Sequence, residues 1–150
     1  MRIFSGIEEL RKAVNEELGI TDWLLIDQCR VNTFADATND RQWIHVDPEA
    51  AAAGPFGGTI AHGLLTLSLL PVLHHQLFEV RGIKMAVNYG FGKVRFPSPV
   101  LVGSRLRASS RIAHVEALPG ALQVRLETVI EIEHSPKPAC VAEPILRYIA

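Results

Sequence analysis

The sequence predicts an α+β fold in which an antiparallel sheet covers one central helix. Helical apolar spacing dominates the first half of the chain, whereas the segments after Gly82 alternate apolar and polar residues. Between them, residues 60–80 are apolar on nearly every side, which is typical of a helix surrounded by protein. A chain of 150 residues can bury a substantial core, so we expect one domain spanning residues 1–150.

Three short helices are predicted in the first half. Apolar residues at helical spacing over 7–18, preceded by Ser5 as a candidate N-cap, predict the first helix. The second covers residues 29–37. The third begins at Asp47 and Pro48, because aspartate is a good N-cap and proline suits the first helical position.

The central helix and the strands come next along the chain. Pro71 lies inside the segment 60–80 and predicts a kink or a break in that helix. Alternation is clearest between Leu122 and Ile132, where apolar residues recur at every second position. Turn-forming residues separate four segments that we expect to form an antiparallel meander: 83–96, 105–116, 122–133 and 139–149.

Composition and charge exclude several classes of partner. The net charge is −1 with both signs interspersed, which argues against a nucleic-acid groove or an anionic membrane surface. The longest apolar stretch is too interrupted to span a bilayer, and the first residues lack the apolar run of a secretion signal. Cys29 and Cys140 lie far apart, so we interpret them as two reduced thiols. We therefore expect a cytoplasmic protein.

The segment 34–48, FADATNDRQWIHVDP, contains the strongest candidate for chemistry. Asp40 precedes His45 by five residues, which on one helix would leave the two side chains about 140° apart. If they converge, a turn between them must bring them together. A carboxylate and an imidazole that meet at a turn can hold a water molecule and its proton. On the pair alone, a capping role for Asp40 and a hydrogen-bonded loop position for His45 is the simpler interpretation.

This segment resembles the signature of the MaoC-like dehydratases and R-specific enoyl-CoA hydratases, Gly-Asp-x-Asn-Pro-(Ile/Leu)-His-x-Asp-Pro. The matching residues are Asp40, Ile44, His45, Asp47 and Pro48, and the departures are Asn39, Gln42 and Trp43. The Gln-Trp-Ile-His version is similar to the branch of the family that resembles nodulation protein N. The resemblance implies the hotdog fold, in which an antiparallel sheet wraps around a long central helix.

Roles for individual residues follow from the resemblance. It implies that Asp40 is the ionised base, that His45 shares the proton handling, and that both hold the same water. The sequence IAHG matches a second element of the family, which assigns the backbone amide of Gly63 to the thioester oxyanion. Gln42 could hold the turn or contact the substrate. Phe96, in the strand end RFPSPV, is expected near the acyl-CoA arm, with a core aromatic as the alternative.

The resemblance implies reversible addition of water to a trans-2-enoyl-CoA, giving an R-3-hydroxyacyl-CoA in fatty acid metabolism. The substrate would be an acyl-CoA or an acyl carrier protein thioester. No metal-ligand spacing, P-loop or dinucleotide motif is present, so we expect no cofactor and no metal. Two alternatives remain open: a hotdog acyl-CoA thioesterase, and a non-catalytic subunit that binds acyl thioesters or serves assembly. A curled sheet would leave an exposed edge strand, so we also expect a homodimer.

Overall fold

The computed structural model describes residues 1–150 and contains six helices and eight strands. The helices are α1 (Ile7–Lys12), α2 (Gln28–Thr38), α3 (Trp43–Val46), α4 (Pro48–Ala52), α5 (Gly63–Ser68) and α6 (Leu70–Leu77). The strands are β1 (Arg2–Phe4), β2 (Glu17–Ile20), β3 (Leu24–Leu25), β4 (Phe78–Val80), β5 (Met85–Arg95), β6 (Arg105–Leu118), β7 (Ala121–Ile132) and β8 (Cys140–Ile149). None of the helices is long and apolar enough to cross a membrane.

One antiparallel sheet dominates the molecule. Its strands are ordered β2-β6-β7-β8-β5, and β3 pairs with β6 beyond the end of β2. Strands β6, β7 and β8 form a meander as predicted, but the prediction that β5 also belongs to it is wrong, because β5 pairs with β8 and not with β6. A separate parallel pair, β1 with β4, was not predicted. The α+β prediction and the four long strands are confirmed.

Alternation along β7 separates the core from the outer face of the sheet. The inward residues Leu122, Val124, Leu126 and Ile130 are buried. Outward residues form a ladder of cross-strand ion pairs with β6: Arg105 with Glu133, Arg107 with Glu131, and Arg111 with Glu127. The period of two therefore predicted both the strand and the side of it that faces the core.

The central segment consists of two helices, as Pro71 predicted. Helix α5 ends at Ser68, and α6 begins at Leu70 with the proline in its first turn. The prediction that this segment is surrounded on every side is wrong at Leu64, which is 62% exposed, and at Val72, which is 46% exposed. Each helix therefore has a side open to solvent, on which apolar and polar residues are mixed.

The first helix is shorter than predicted. Helix α1 ends at Lys12, and Asn15 adopts a left-handed conformation with φ 69°. The chain then enters β2, and Leu18 is a buried residue of this strand and not of a helix. Pairing of β2 with β6 overrides the helical spacing. The predicted cap at Ser5 is also wrong. Its backbone N–H donates to Glu9 Oε2, and the N-cap position belongs to Gly6.

Candidate functional site

The turn that presents Asp40 is built at the end of α2. The predicted second helix is confirmed as α2. Its N-cap is Asp27, whose side chain accepts a hydrogen bond from the backbone N–H of Arg30. Asn39 ends it in the left-handed conformation, with φ 59°. Asparagine tolerates this conformation better than most residues, so it replaces the glycine of the family signature at moderate cost. Asp40 follows immediately, with its side chain 55% exposed.

His45 lies on α3 and is buried. Its Nδ1–H donates to the carbonyl of Ile60 over 2.7 Å, and the backbone N–H of Ile60 donates to the carbonyl of Ile44 over 2.9 Å. Because Nδ1 is the donor, a neutral His45 carries its lone pair on Nε2. This nitrogen is therefore the one that can accept or return a proton.

A second network holds the backbone of His45. Gln28 donates through Nε2 to the His45 carbonyl over 2.7 Å, and Gln28 Oε1 accepts from Thr59 Oγ1 over 2.6 Å. These bonds connect α2, α3 and the segment that leads into α5. We did not predict either residue, because Gln28 and Thr59 lie 31 positions apart and carry no motif.

The turn brings Asp40 and His45 together with a third side chain, His62. One potential donor or acceptor atom from each of the three lies within 4.8 Å of the other two. Two hydrogen bonds of about 2.8 Å that meet at a tetrahedral angle span about 4.6 Å, so one water molecule can contact a pair of these atoms. The spacing of the three side chains is thus within the reach of one shared water.

We did not predict a role for His62. Its ring stacks on that of His45 with centroids 3.8 Å apart and planes 24° apart. Its Nε2–H donates to the backbone carbonyl of Asp40 over 2.9 Å, and Nε2 lies 4.0 Å from Asp40 Oδ2. Nδ1 is buried and has no hydrogen-bond partner. The signal that the sequence offered was its position directly before Gly63 in IAHG.

The same three side chains are candidates for a metal centre, because they combine a carboxylate with two imidazoles. The lone pairs of an imidazole lie in its ring plane. Since the rings of His45 and His62 are stacked nearly parallel, their lone pairs do not point toward one centre. Two of the four ring nitrogens also donate to backbone carbonyls. The arrangement suits a hydrogen-bonded group better than a tetrahedral metal site.

Gly63 and Phe96 lie against each other at the start of α5. A Cβ added to Gly63 would lie 3.2 Å from two atoms of the Phe96 ring, so only glycine fits without displacing it. Phe96 is 42% exposed, and the alternative that it is a core aromatic is therefore wrong. As the first residue of α5, Gly63 has a backbone N–H without an intrahelical partner.

Gln42 occupies the N-cap position of α3. Its side chain makes no capping bond and is exposed, whereas its carbonyl accepts from the backbone N–H of His45 over 3.0 Å. The main chain of Gln42 thus holds the turn. Next to it, Trp43 packs its ring against Gly54, where an added Cβ would lie 2.9 Å from the indole. Contact between the Gln42 side chain and a substrate stays a prediction.

Two cavities of similar size lie near the helices. One of about 540 Å³ is lined by α6, β5 and β8 and includes His74 and Tyr148. The other, of about 530 Å³, is lined by α2 and by Leu65 and Phe34, and the Phe34 ring lies 4.9 Å from that of His62. Neither cavity is lined by Asp40, His45 or His62, and the second is linked to this group only through the Phe34 ring.

Comparison with known proteins finds relatives along the whole chain. The family model described as MaoC-like domain matches residues 9–132. The chain is 58% identical over 151 residues to 3-hydroxyacyl-thioester dehydratase Z of Mycobacterium tuberculosis, with 100% of both chains covered. It is 45% identical over 144 residues to nodulation protein N of Rhizobium meliloti, with 91% of this chain and 87% of that protein covered.

Solved structures show the same fold. The (R)-hydratase from A. caviae involved in PHA biosynthesis superposes with a TM-score of 0.72 at 24% identity. The alignment covers 89% of this chain and 94% of that one. At this level of identity the likeness concerns the arrangement of helices and strands.

Proposed function

This chain belongs to the family of MaoC-like domains, and we propose that it adds water reversibly to a trans-2-enoyl thioester to give the R-3-hydroxyacyl thioester. The predicted family and its hotdog fold are confirmed, and the chain is a hydro-lyase. Its relative of 58% identity is named as a 3-hydroxyacyl-thioester dehydratase. Hydration and dehydration are one reaction in two directions, so that name supports the proposal in either direction.

The observation that carries the proposal is that Asp40 and His45 each offer an atom within 4.8 Å of the other, while the Ile60 carbonyl occupies His45 Nδ1 and leaves Nε2 free to exchange a proton. In the hydration direction, Asp40 is the ionised base and takes a proton from the water as its oxygen bonds to C3. His45 shares the handling of the proton that reaches C2. Acid–base groups placed in this way typically contribute about 10²–10⁴-fold in rate.

The developing charge on the thioester oxygen requires a hydrogen-bond donor. We assign this role to the backbone N–H of Gly63, which is free at the start of α5, with Phe96 flanking the thioester. One such donor typically contributes roughly 2.7–4 kcal/mol of transition-state stabilisation. The lack of a side chain on Gly63 allows a flat thioester to approach the backbone.

The carrier is an acyl-CoA or an acyl carrier protein thioester. The sequence offers four cations as candidates for contact with the CoA phosphates: Lys84, Lys93, Arg95 and Arg105. Arg105 already donates two hydrogen bonds to Glu133, which makes it the weakest candidate. Lys93 and Arg95 are exposed in β5, next to Phe96 in the chain, and are better placed for the CoA phosphates. A role in fatty acid metabolism in the cytoplasm completes the proposal.

We also propose a homodimer that forms along β5. This strand is one of the two edges of the sheet, and its apolar residues Met85, Val87, Tyr89 and Phe91 are between 42% and 56% exposed. Unpaired backbone groups together with exposed apolar side chains favour pairing with a second copy. Light scattering at micromolar concentration should give twice the mass of the 16.5 kDa chain. A monomeric mass would contradict this part of the proposal.

Crotonyl-CoA tests the reaction. We expect the purified protein to remove the absorbance of the enoyl-thioester band without releasing free thiol, and an R-specific 3-hydroxyacyl-CoA dehydrogenase should oxidise the product. Release of thiol would instead identify a thioesterase. No change in either assay, also with a longer enoyl-CoA, would favour a binding or assembly subunit.

A further inference from the structure

His62 is buried in contact with both groups of the proposed reacting pair. It is 3% exposed, lies between the rings of Phe34 and His45, and donates to the backbone of Asp40. A phenylalanine or leucine would fill the same space without leaving Nδ1 buried and unpartnered. An unsatisfied buried acceptor lowers stability, so its presence calls for an explanation other than packing.

The hydrogen bond to Asp40 provides one explanation. Asp40 follows the left-handed residue Asn39, and its carboxylate forms no hydrogen bond with another side chain. Its carbonyl is the acceptor for His62 Nε2–H over 2.9 Å, and this bond spans 22 residues between the turn and the start of α5. Fixing that carbonyl fixes the peptide plane from which the Asp40 side chain projects.

The stacking of His62 on His45 provides a second explanation for its burial here. The carbonyl of Ile60 holds one edge of the His45 ring, and His62 covers its face at 3.8 Å. Together these contacts restrict both the position and the rotation of the imidazole. Reaction rates depend steeply on such placement, because an error of about 1 Å can cost roughly 10²-fold.

We propose that His62 is a positioning residue that aims the Asp40 carboxylate through its carbonyl and the His45 imidazole through its ring face. The proposal rests on the hydratase function given above. His62 does not itself exchange protons with the substrate, since its Nε2–H is used by the Asp40 carbonyl and its Nδ1 is buried.

Two substitutions of His62 separate its hydrogen bond to Asp40 from its stacking on His45. His62→Phe keeps a ring against His45 and loses the donor, whereas His62→Gln keeps a donor and loses the ring. We expect kcat for crotonyl-CoA hydration to fall roughly 10- to 100-fold in His62→Phe with little change in KM, because positioning and not substrate binding is impaired. His62→Gln should retain more activity than His62→Phe. Wild-type kcat in a folded His62→Phe protein would overturn the proposal.

A double-mutant cycle with Asp40→Asn tests whether His62 acts through Asp40. If it does, His62→Phe should cost much less in the Asp40→Asn background than in the wild type, because the group to be aimed is already disabled. Equal losses in both backgrounds would show a structural role and contradict the proposal. Where His62→Phe does not fold, His62→Leu, which also lacks the donor to the Asp40 carbonyl, serves in the same cycle. An inactive wild type would refute the hydratase function itself, which is a separate outcome.

Discussion

Two buried histidines lie at opposite ends of the interrupted central helix and differ in what they touch. His62, directly before α5, contacts a second imidazole and the turn that carries a carboxylate. His74, in α6, is 5% exposed and has its Nε2 3.1 Å from Thr128 Oγ1, which in turn bonds with Ser110 Oγ. Burial, with a smaller contribution from His75, lowers the pKa of His74 to about 4, so it is neutral near pH 7.

The comparison shows that burial of a histidine does not identify a functional site. Both rings are buried in the same segment, and His74 even lines one of the two similar cavities. The difference is that only the His62 end assembles an acid, an imidazole with a free Nε2 and a helix-terminal amide. Changes at the two ends should therefore affect different properties of the protein.

The largest difference should be in turnover. We expect Asp40→Asn and His45→Gln each to lower kcat by at least about 10²-fold, since each removes a proton-handling group. As a matched control, His74→Asn should change kcat by no more than about twofold in the same crotonyl-CoA assay. Circular dichroism should show that all three variants are folded. Near-wild-type turnover in either site variant would refute the assignment.

The next difference is in how the free energy of unfolding depends on pH, which His74 should affect. Because the native pKa of His74 lies below the ordinary value of 6.5, the unfolded chain binds more protons than the native protein between about pH 6.5 and about pH 4. The free energy of unfolding should therefore fall as the pH falls through this window, by about 2 kcal/mol between pH 7 and pH 5 from this group.

Urea unfolding at several pH values measures this effect. His74→Asn removes the titrating group, so its unfolding free energy should depend less on pH over the same range. Identical pH dependence in wild type and variant would show that His74 does not contribute. Turnover of the variant at pH 7 should meanwhile stay close to that of the wild type.

A smaller effect is expected at the start of α5. Gly63→Ala places a methyl group 3.2 Å from the Phe96 ring and narrows the approach to the backbone N–H. We expect kcat/KM to fall roughly tenfold, because a thioester displaced from this amide loses part of the oxyanion stabilisation. Gly58→Ala is the control, since its added Cβ meets only Leu101 at an ordinary 3.6 Å. Equal kcat/KM in both variants would contradict the role of Gly63.

Much of the fold could be predicted because its signals are local. The alternation from Leu122 to Ile132 depends only on neighbouring residues, and Pro71 interrupts the central helix because it lacks the N–H that a continuing helix would need. The helix predicted over 7–18 ends early, at Lys12, because β2 pairs with β6, a distant partner that helical spacing cannot reveal. The same holds for the parallel pair of β1 with β4.

The residues of the site likewise fall into those that local sequence could predict and those that only tertiary packing brings together. Asp40 and His45 belong to one short segment, so a turn could be expected to join them. His62 was missed because its bond to the Asp40 carbonyl forms only when the start of α5 packs against the turn. The network of Gln28 and Thr59 likewise depends on packing between segments distant in the chain.

Hydration of crotonyl-CoA in water enriched with ¹⁸O, followed by mass spectrometry, tests the central claim most directly. If water adds to the double bond, one ¹⁸O atom should appear in the hydroxyl group at C3 of an intact CoA ester, and Asp40→Asn should suppress it. Appearance of ¹⁸O in a free carboxylic acid, with CoA released, would show attack on the thioester carbonyl and contradict the account.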